Sequence, residues 1–515
     1  MPRSLKACLA EYPRVMLEAI AESWGVTLTD EQLPEIVDRL VADMTNPDNA
    51  RRVIGRLSDV ERDALATVAR AGQARAHVIA RKYGDVRHLG PGRLEWEQAW
   101  RTPASAVERL WFSGLLHIGY GMDQLFHGKV FFVPPEIPHA LPPLAVNRPE
   151  FAVRVVPEPH DMRDDGDSLA YGIFVLLAYL RNASVRSRTG NLPARDLSHL
   201  LPRLRYAGLA PERKDAAQAR RVGFLQHLTR KALLASRLEG QWKPTDAAAL
   251  WLKQDALTRC RRLYQAWLKD PDWNELWLMP AVRCEDTGWR NDPLLARKAV
   301  IACLARCPAN SWIDTLSFVK ALYDLDPDFM RPDGDYDSWY IRDAASGRYL
   351  TGFSSWLQVE GELIRYVLEA PLCWLGMVAT GCSALGERMD RFKLTERGAA
   401  ILGSGGIALA TPTRLTVQSD LQVIVPHGAS WYDRFLLERF ARWVNEGTES
   451  ARYRIDARSI RGCVEQGSGP DQILAFLRRA SAGRVPATVV KYVRKCSGAS
   501  GCDGSPHKTS LDDAA

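Results

Sequence analysis

The feature that most constrains the fold is a ten-residue phrase that occurs twice, 150 residues apart. Residues 243–252 read KPTDAAALWL and residues 393–402 read KLTERGAAIL. Each copy has a threonine at a helix-capping position, an acidic residue in the first turn, and small then large apolar residues behind it. A capped helix that recurs in this way indicates a repeated structural unit. We therefore predict tandem winged-helix domains, each ending in the same helix packed against its wing.

Three stretches of the chain fit this repeated unit. The first covers residues 51–145, the second covers 168–262 and is rich in basic residues, and the third covers 292–404 and contains a long acidic insert. In the first stretch, Ser58 and Glu61 form a capping box that begins a helix. Predicted helices followed by two short strands joined at a tight turn are typical of a winged helix.

The first winged helix offers a poor surface for DNA. In a winged helix that reads DNA, the third helix enters the major groove. The exposed positions of the third helix predicted here are Ser105, Glu108 and Arg109, which include a single cation. We therefore expect this domain to contact a protein or to act as a spacer.

The remaining segments follow from composition and periodicity, and the whole chain is predicted to be α+β and mostly helical. The predicted order is a SAP-like helical hairpin (1–50), winged helix 1 (51–145), a proline-rich linker (146–167), a basic winged-helix-like segment (168–262), a tryptophan-rich helical hinge (263–291), winged helix 3 with its acidic insert (292–404), a small α/β module (414–496) and a disordered tail (497–515).

Two of these segments allow more than one interpretation. The first looks like a SAP-type DNA-binding hairpin, but a helical pair that merely packs on its neighbour fits its few basic residues equally well. The hinge contains four tryptophans, whose rings either stack on unpaired bases or fill a core. Their spacing favours the core. These tryptophans are Trp267, Trp273, Trp277 and Trp289.

The C-terminal module combines strands and helices in a fixed order. A buried strand is predicted over Val417–Pro426, and a helix over Trp431–Val444, where apolar residues recur at helical spacing. A short strand follows at Tyr453–Ile455. Three further helices are predicted from Ser459, over Asp471–Ala480, and after Pro486, a residue that suits the first turn of a helix.

This module resembles the N-terminal domain of XPB-type DNA helicases, as found in bacterial helicase-associated domain proteins. The matching residues are Ser419-Asp420-Leu421, Val423, Val425-Pro426, Tyr453-Arg454, Ser459-Ile460, Ile473-Leu474, Leu477 and Val485-Pro486. The resemblance implies a small α/β module that contacts distorted DNA and a neighbouring motor domain. It also implies a role in DNA repair or related DNA transactions.

The net charge of +7 is unevenly distributed. Residues 194–262 contain fifteen Lys and Arg against six Asp and Glu, and residues 414–496 contain fourteen against eight. Local surpluses of this kind are what phosphate-binding surfaces require, although a basic face can also serve only solubility. The predicted phosphate contacts are Arg220, Arg221, Arg230, Lys231, Arg434, Arg478 and Arg479.

The acidic insert of the third unit, residues 324–343, contains seven aspartates against two arginines. Asp333, Asp335 and Asp337 have the alternate spacing of a calcium loop, but Ala344 stands where a bidentate glutamate would be needed. The insert is therefore predicted to be a solvated acidic loop. It could also act as an intramolecular mimic of phosphate that competes for the basic second unit.

Signatures of catalysis, metal binding and membrane insertion are absent from the sequence. No phosphate loop, Gly-x-Ser-x-Gly elbow or His-Glu-x-x-His motif occurs, and the ten cysteines include no Cys-x-x-Cys. No apolar run reaches about eighteen residues, and the first residues lack the apolar core of a signal peptide. We therefore predict a cytoplasmic protein with no catalytic residues, metal or cofactor.

These observations predict a non-enzymatic, helicase-associated protein of bacterial type. It would hold duplex DNA with little sequence preference, through the basic segment 168–262 and the C-terminal module. The alternative is a protein–protein scaffold whose winged helices recruit a separately encoded helicase or nuclease.

Overall fold

The computed structural model describes residues 3–29, 31–122, 127–137, 150–187, 191–204, 214–384, 388–403 and 412–498. The fold is mixed α+β and mostly helical, as predicted. The chain forms two compact units, each assembled from separate stretches. Unit 1 comprises Met1–Phe151, Arg283–Asn291 and Ala321–Leu357, and unit 2 comprises Ala152–Val282, Asp292–Lys320 and Gln358–Ala515.

The α-helices of the described residues are Leu5–Ala10 (α1), Arg14–Trp24 (α2), Leu33–Thr45 (α3), Pro47–Gly55 (α4), Asp59–Ala71 (α5), Ala76–Tyr83 (α6), Pro91–Glu97 (α7), Ala106–Phe112 (α8), Ser168–Asn182 (α9), Ala194–Leu200 (α10), Lys214–Lys231 (α11), Asp246–Lys253 (α12), Ala256–Leu268 (α13), Glu275–Leu278 (α14), Pro293–Leu304 (α15), Thr315–Leu325 (α16), Glu362–Val367 (α17), Glu396–Leu402 (α18), Trp431–Leu437 (α19), Ala457–Glu465 (α20), Pro470–Ala480 (α21) and Ala487–Gly498 (α22). Two π-helical turns, Leu357–Gly361 and Leu368–Leu372, flank α17.

The β-strands of the described residues are Gln73–Arg75 (β1), His117–Met122 (β2), His127–Phe132 (β3), Asp161–Arg163 (β4), Ala235–Leu238 (β5), Gln241–Pro244 (β6), Val282–Cys284 (β7), Trp312–Asp314 (β8), Ile341–Asp343 (β9), Val378–Cys382 (β10), Arg391–Leu394 (β11), Thr416–Val417 (β12), Gln422–Pro426 (β13), Ala441–Glu446 (β14) and Ser450–Ile455 (β15).

The four N-terminal helices share one hydrophobic core with the helices and sheet that follow them. Ile20, Trp24 and Met44 are buried together with Leu65, Leu110 and other residues up to position 137. The indole nitrogen of Trp24 donates a hydrogen bond of 2.7 Å to the Ser113 carbonyl. Of the two interpretations of residues 1–50, this packing supports helices that dock on their neighbour.

A helix, a short strand, two helices and a β-hairpin recur in this order. In unit 1 these elements are α5, β1, α6, α8 and the hairpin β2–β3, and β1 pairs with β3. Later in the chain, α15, β8, α16, α17 and the hairpin β10–β11 repeat the pattern, with β8 paired to β11. The elements α9, α10, α11 and the hairpin β5–β6 form a third copy, in which Arg186 bridges to Gln241.

The two copies of the ten-residue phrase fold alike. Thr245 and Thr395 are helix N-caps whose hydroxyl oxygens accept from Ala248 N and Gly398 N at 3.3 and 3.0 Å. Each hydroxyl also donates to a carbonyl at the start of its own hairpin, that of Leu233 at 2.7 Å or Gly376 at 2.8 Å. The threonine therefore ties the end of a hairpin to its beginning, which gives the phrase a physical reason to recur.

The end of the predicted linker is part of the core of unit 2. Asp161–Arg163 forms strand β4, which pairs antiparallel with β10. The Asp165 side chain is fully buried and lies 3.0 Å from the guanidiniums of Arg163 and Arg221. Asp167 forms an ion pair of 2.9 Å with Arg397. Composition assigned this acidic run to a linker, but Asp165 and Asp167 form ion pairs with arginines distant in sequence, Arg221 and Arg397.

The acidic insert is a solvated loop only in part. Asp324, Asp333 and Asp337 are exposed, as predicted, but the insert also places Phe329, Met330 and Tyr336 in the core of unit 1. Asp328 has a side chain only 1% exposed, and its Oδ1 accepts from both terminal nitrogens of Arg81 at 3.0 Å. Tyr336 donates to the same oxygen at 2.7 Å. Burial raises the pKa of Asp328, but the contacts with His77, Arg81 and Tyr336 outweigh it and lower the pKa below its ordinary value.

The C-terminal module is a four-stranded antiparallel sheet in the order β12-β13-β15-β14, with α19–α22 packed on one face. The predicted helix over residues 431–444 is correct only as far as Leu437. Residues 441–446 form edge strand β14 instead, paired with β15. Apolar residues at 440, 441 and 443 suit either period, and pairing with β15 decides for the strand.

Candidate nucleic-acid interface

The predicted contact Arg221 lies in the core and cannot reach a phosphate. Arg221 is 2% exposed, and one of its terminal nitrogens lies 3.0 Å from Asp165 Oδ2. Asp165 also accepts two hydrogen bonds of 3.0 Å from Arg163. A buried guanidinium held by a buried carboxylate is a structural ion pair. Arg221 is therefore removed from the predicted set.

Arg434 is removed for the same reason. It is 4% exposed and donates to Tyr453 Oη at 2.7 Å, Glu446 Oε2 at 2.8 Å and Tyr171 Oη at 2.9 Å. Burial lowers the pKa of Arg434, but the two tyrosines and Glu446 outweigh it and raise the pKa. Burial likewise raises the pKa of Glu446, and its contact with Arg434 reverses this and lowers the pKa to about 2.

The other predicted contacts on α11 are partly occupied by the protein. Lys231 lies 2.8 Å from Asp270 Oδ1 and also pairs with Asp272. The Arg230 guanidinium lies 6.0 Å from the centre of the Trp242 ring, and burial lowers the pKa of Arg230. Arg220 is half-buried. The basic count of this segment therefore overstates the charge that it presents to solvent.

The last two predicted contacts lie on α21 and are exposed. Arg479 forms an ion pair of 2.7 Å with Asp433, while Arg478 has no ion-pair partner within 4 Å among the residues that the structure describes. The seven predicted residues thus lie on three helices and do not form one continuous basic surface.

Three other arginines do share a surface, which we call the arginine face: Arg442 of β14 with Arg452 and Arg454 of β15. All three are exposed. They stand on the side of the sheet opposite the helices, because Ala451, Tyr453 and Ile455 alternate with them and are at most 1% exposed.

The three arginines are neighbours without adequate counter-charges. Arg442 and Arg454 stand directly opposite each other on paired strands. Like charges in this position destabilise a sheet by roughly 0.2–1 kcal/mol. Asp456 lies 3.8 Å from Arg442, whose side chain is still 70% exposed. No carboxylate among the described residues lies within 4 Å of Arg452 or Arg454. Folding does not account for this cluster.

Uncharged residues complete the surface. Gln422 of β13 stands opposite Arg454, and Ile424 stands opposite Arg452. A β-bulge between Trp443 and Asn445 leaves Val444 46% exposed. The face therefore combines three cations with polar and apolar side chains on a rigid sheet.

The whole arginine face lies inside a segment that matches a known protein family. Residues 415–501 match the helicase conserved C-terminal domain family. This match supports a helicase-associated C-terminal domain and suggests a helicase-related role, with nucleic acid or a helicase as the class of partner. The finer resemblance of this helicase C-terminal-type domain to the XPB N-terminal domain stays a prediction. Comparison of the chain with curated proteins finds no match.

The sequence of the C-terminal module contains a local signal for the arginine face, which the predicted contacts did not include. The phrase ARYRI at 451–455 alternates apolar residues with arginines, which is the period of a strand with one buried side. The predicted strand Tyr453–Ile455 is the second half of the observed strand β15, and its outward arginines are not among the predicted phosphate contacts.

The described residues contain no group of three or more His, Cys, Asp or Glu side chains that could hold a metal ion. None of their helices is long and apolar enough to cross a membrane. The arginine face offers electrostatic and hydrogen-bonding contacts, from guanidinium groups on a sheet.

Proposed function

We propose that this protein is a non-catalytic, helicase-associated protein that binds duplex DNA through the arginine face of its C-terminal domain. The observation that carries the proposal is the placement of Arg442, Arg452 and Arg454 together on a solvent-facing sheet surface with one weak carboxylate contact. Arginine binds phosphate with a planar, bidentate set of donors.

The geometry favours contact with the phosphate backbone over contact with bases. Paired strands lie ~4.8 Å apart and alternate residues of a strand lie ~6.7 Å apart, so the three guanidiniums span a short, rigid triangle. A rigid cationic surface that lacks a reading helix gives affinity with little sequence choice. The proposed partner is therefore duplex DNA with weak sequence preference, in repair or related DNA transactions.

The repeated helix–strand–helix–helix–hairpin arrangement supports the winged-helix interpretation of the rest of the chain. In this proposal the winged helices position the C-terminal domain, and no part of the chain hydrolyses ATP or cleaves DNA. Purified protein should show no ATPase or nuclease activity above that of a blank preparation.

The direct test is the double variant Arg452→Glu, Arg454→Glu, examined by fluorescence anisotropy with a labelled duplex. Each phosphate contact contributes about 0.9 to the slope of log affinity against log salt concentration. We expect the variant to bind at least about tenfold more weakly and to lose about 2 from the magnitude of that slope. Unchanged affinity and slope would exclude the arginine face.

A matched control makes the same charge change elsewhere in the domain. The variant Arg478→Glu, Arg479→Glu reverses two exposed arginines on α21, and we expect its binding to fall by less than about threefold. If this variant loses binding while the arginine-face variant keeps it, the interface lies on α21 and the proposal is wrong.

The scaffold alternative has one observation in its favour, which is an exposed aromatic residue on the first hairpin. Tyr120 is 87% exposed and Ile118 is 37% exposed on β2. Exposed aromatic residues are common at protein interfaces. If this function holds instead, Tyr120→Ser should abolish co-purification of a native partner, and the arginine-face variant should retain it.

A further inference from the structure

Unit 2 contains a cavity of about 460 Å³ that lies apart from the arginine face. Its wall includes the N-terminal ends of α9 and α13 and the side chains of Arg259, Arg397, Tyr171 and Trp431. This volume is within the range of pockets that hold small ligands.

Arg259 is a buried cation that makes no direct ion pair among the described residues: burial lowers its pKa, and Asp167 and Asp255 offset this only in part and from a distance. It is 8% exposed, and its Nε atom is buried and has no hydrogen-bond partner. The guanidinium donates one hydrogen bond to the Gln254 carbonyl and stacks 3.9 Å from the centre of the Trp431 ring. Among the described residues no carboxylate lies within 4 Å of it. Burying a guanidinium in this state costs free energy unless an anion accompanies it.

The acidic residues in the cavity wall are already engaged. Asp167 forms its ion pair with Arg397 at 2.9 Å. Asp255 accepts from the backbone nitrogen and hydroxyl of Thr258 at 2.9 and 2.6 Å. Lys253, at the exposed rim, contacts only the Tyr432 ring among these groups, at 4.5 Å. The cavity therefore has a net positive charge.

We infer that this cavity binds a phosphate monoester, held by Arg259 and assisted by Lys253 at the rim. A guanidinium matches phosphate geometry through parallel hydrogen bonds, and the unpaired Nε is a donor with no other partner. The N-terminal ends of two helices of thirteen and fifteen residues add positive potential to the same space. The phosphate could come from a free nucleotide or from the 5′ end of a nucleic acid strand.

The test is a thermal shift of the full chain carrying Arg452→Glu and Arg454→Glu, so that the arginine face does not contribute. The probes are AMP and a short single strand with a 5′ phosphate, each compared at equal ionic strength with adenosine or the 5′-hydroxyl strand. We expect a phosphate-bearing probe to raise the melting temperature by at least about 2–4 °C when it is near saturation. The unphosphorylated probes should have no effect.

Substitution of Arg259 separates binding from folding. Arg259→Met removes the buried charge, so we expect the free protein to be at least as stable as before and to lose its response to the phosphate-bearing probes. If the methionine variant fails to fold, Arg259→Lys is measured in its place. It keeps a positive charge but loses the paired donors of the guanidinium, so it should weaken the response to the phosphate-bearing probes. Arg494→Met, an exposed residue of α22, should leave the response intact.

The outcomes separate the sources and can overturn the inference. A response to AMP alone assigns the cavity to a nucleotide, and a response only to the 5′-phosphorylated strand assigns it to a strand end. No shift with either probe, or an equal shift in the Arg259→Met variant, would show that the cavity is not a phosphate site. Either result leaves the arginine-face proposal untouched, since that proposal depends on duplex binding by the unmodified face.

Discussion

Arg434 and Arg454 belong to the same small domain, yet they use the same functional group in opposite ways. Arg434 is enclosed by Tyr453, Tyr171 and Glu446, and its charge is fully compensated inside the fold. Arg454 follows Tyr453 directly in sequence but points to the other side of the sheet, opposite Arg442. The difference teaches that a local count of basic residues does not measure the charge available to a ligand.

The same contrast applies to unit 2 as a whole. Arg221 and Lys231 were predicted to bind phosphate, but buried or partly buried aspartates already hold them. Breaking such a pair leaves one charge buried without its partner, which lowers the free energy of unfolding. Changing an exposed arginine has little effect on this free energy. Stability and binding measurements should therefore assign each arginine to one class.

The largest expected effect is on the free energy of unfolding of the buried class. Arg434→Ala removes the cation that pairs with Glu446 and the donor to two tyrosine hydroxyls, and should lower this free energy by about 3–5 kcal/mol. Arg454→Ala removes a like-charge pair and should change it by no more than about 1 kcal/mol. Urea denaturation followed by tryptophan fluorescence measures both, and similar losses in the two variants would remove the distinction.

A second expected effect is the pH dependence of the buried pair. The pKa of Glu446 is about 2 in the folded protein against an ordinary value of 4.5. The stability that it contributes is therefore complete above pH 4.5 and is lost as the pH falls towards 2, by up to ~3 kcal/mol. Denaturation at pH 5 and pH 3 should show a smaller loss for Glu446→Gln than for the unmodified protein. Equal losses would mean that the pair does not sense pH.

A neutral hydrogen bond at a helix cap should have a smaller effect than either charged pair. Thr395 caps α18 and also donates to the Gly376 carbonyl, so Thr395→Ala should cost about 1–2 kcal/mol of unfolding free energy. Thr245→Ala, at the equivalent position of the other copy, should cost the same within about 0.5 kcal/mol. A loss in only one variant would show that the two copies of the phrase are not equivalent.

The smallest effect should come from replacing the exposed arginines without changing their charge. Arg452→Lys with Arg454→Lys keeps both cations, so the salt slope of duplex binding should not change and affinity should fall by less than about threefold. Anisotropy titrations at several salt concentrations measure both quantities. A fall as large as that of the glutamate variant would mean that bidentate geometry, not charge, governs the contact.

Local patterns predicted much of this fold. The threonine-capped phrase was found in both places, and the last three helices were placed to within two residues of their observed starts, because caps and prolines act over a few residues. Strand β14 was mistaken for a helical continuation since Phe440 and Trp443 fit both periods. What decides for the strand is its pairing with β15, a contact that lies outside any local window.

The site was harder to predict because it depends on long-range pairing. Asp165 looked like a linker residue by composition, and its partner Arg221 lies 56 positions away. Arg434 is buried through its contact with Tyr171, 263 positions earlier, while the pairing of β14 with β15 leaves Arg452 on the outward side of the sheet. Alternation along β15 was the one local signal of the arginine face, and it becomes informative once the direction of the core is known.

The packing of Asp328 against Arg81 has a consequence for biosynthesis. Unit 1 draws its last stretch from Ala321–Leu357, more than 150 residues after the hairpin that it joins in one domain. Because domains tend to fold in order as the chain leaves the ribosome, the N-terminal unit must wait while much of its companion is already being made. Until Asp328 has been synthesised, Arg81 of α6 lacks the carboxylate that it contacts in the folded unit, and this is the period in which chaperones can bind there.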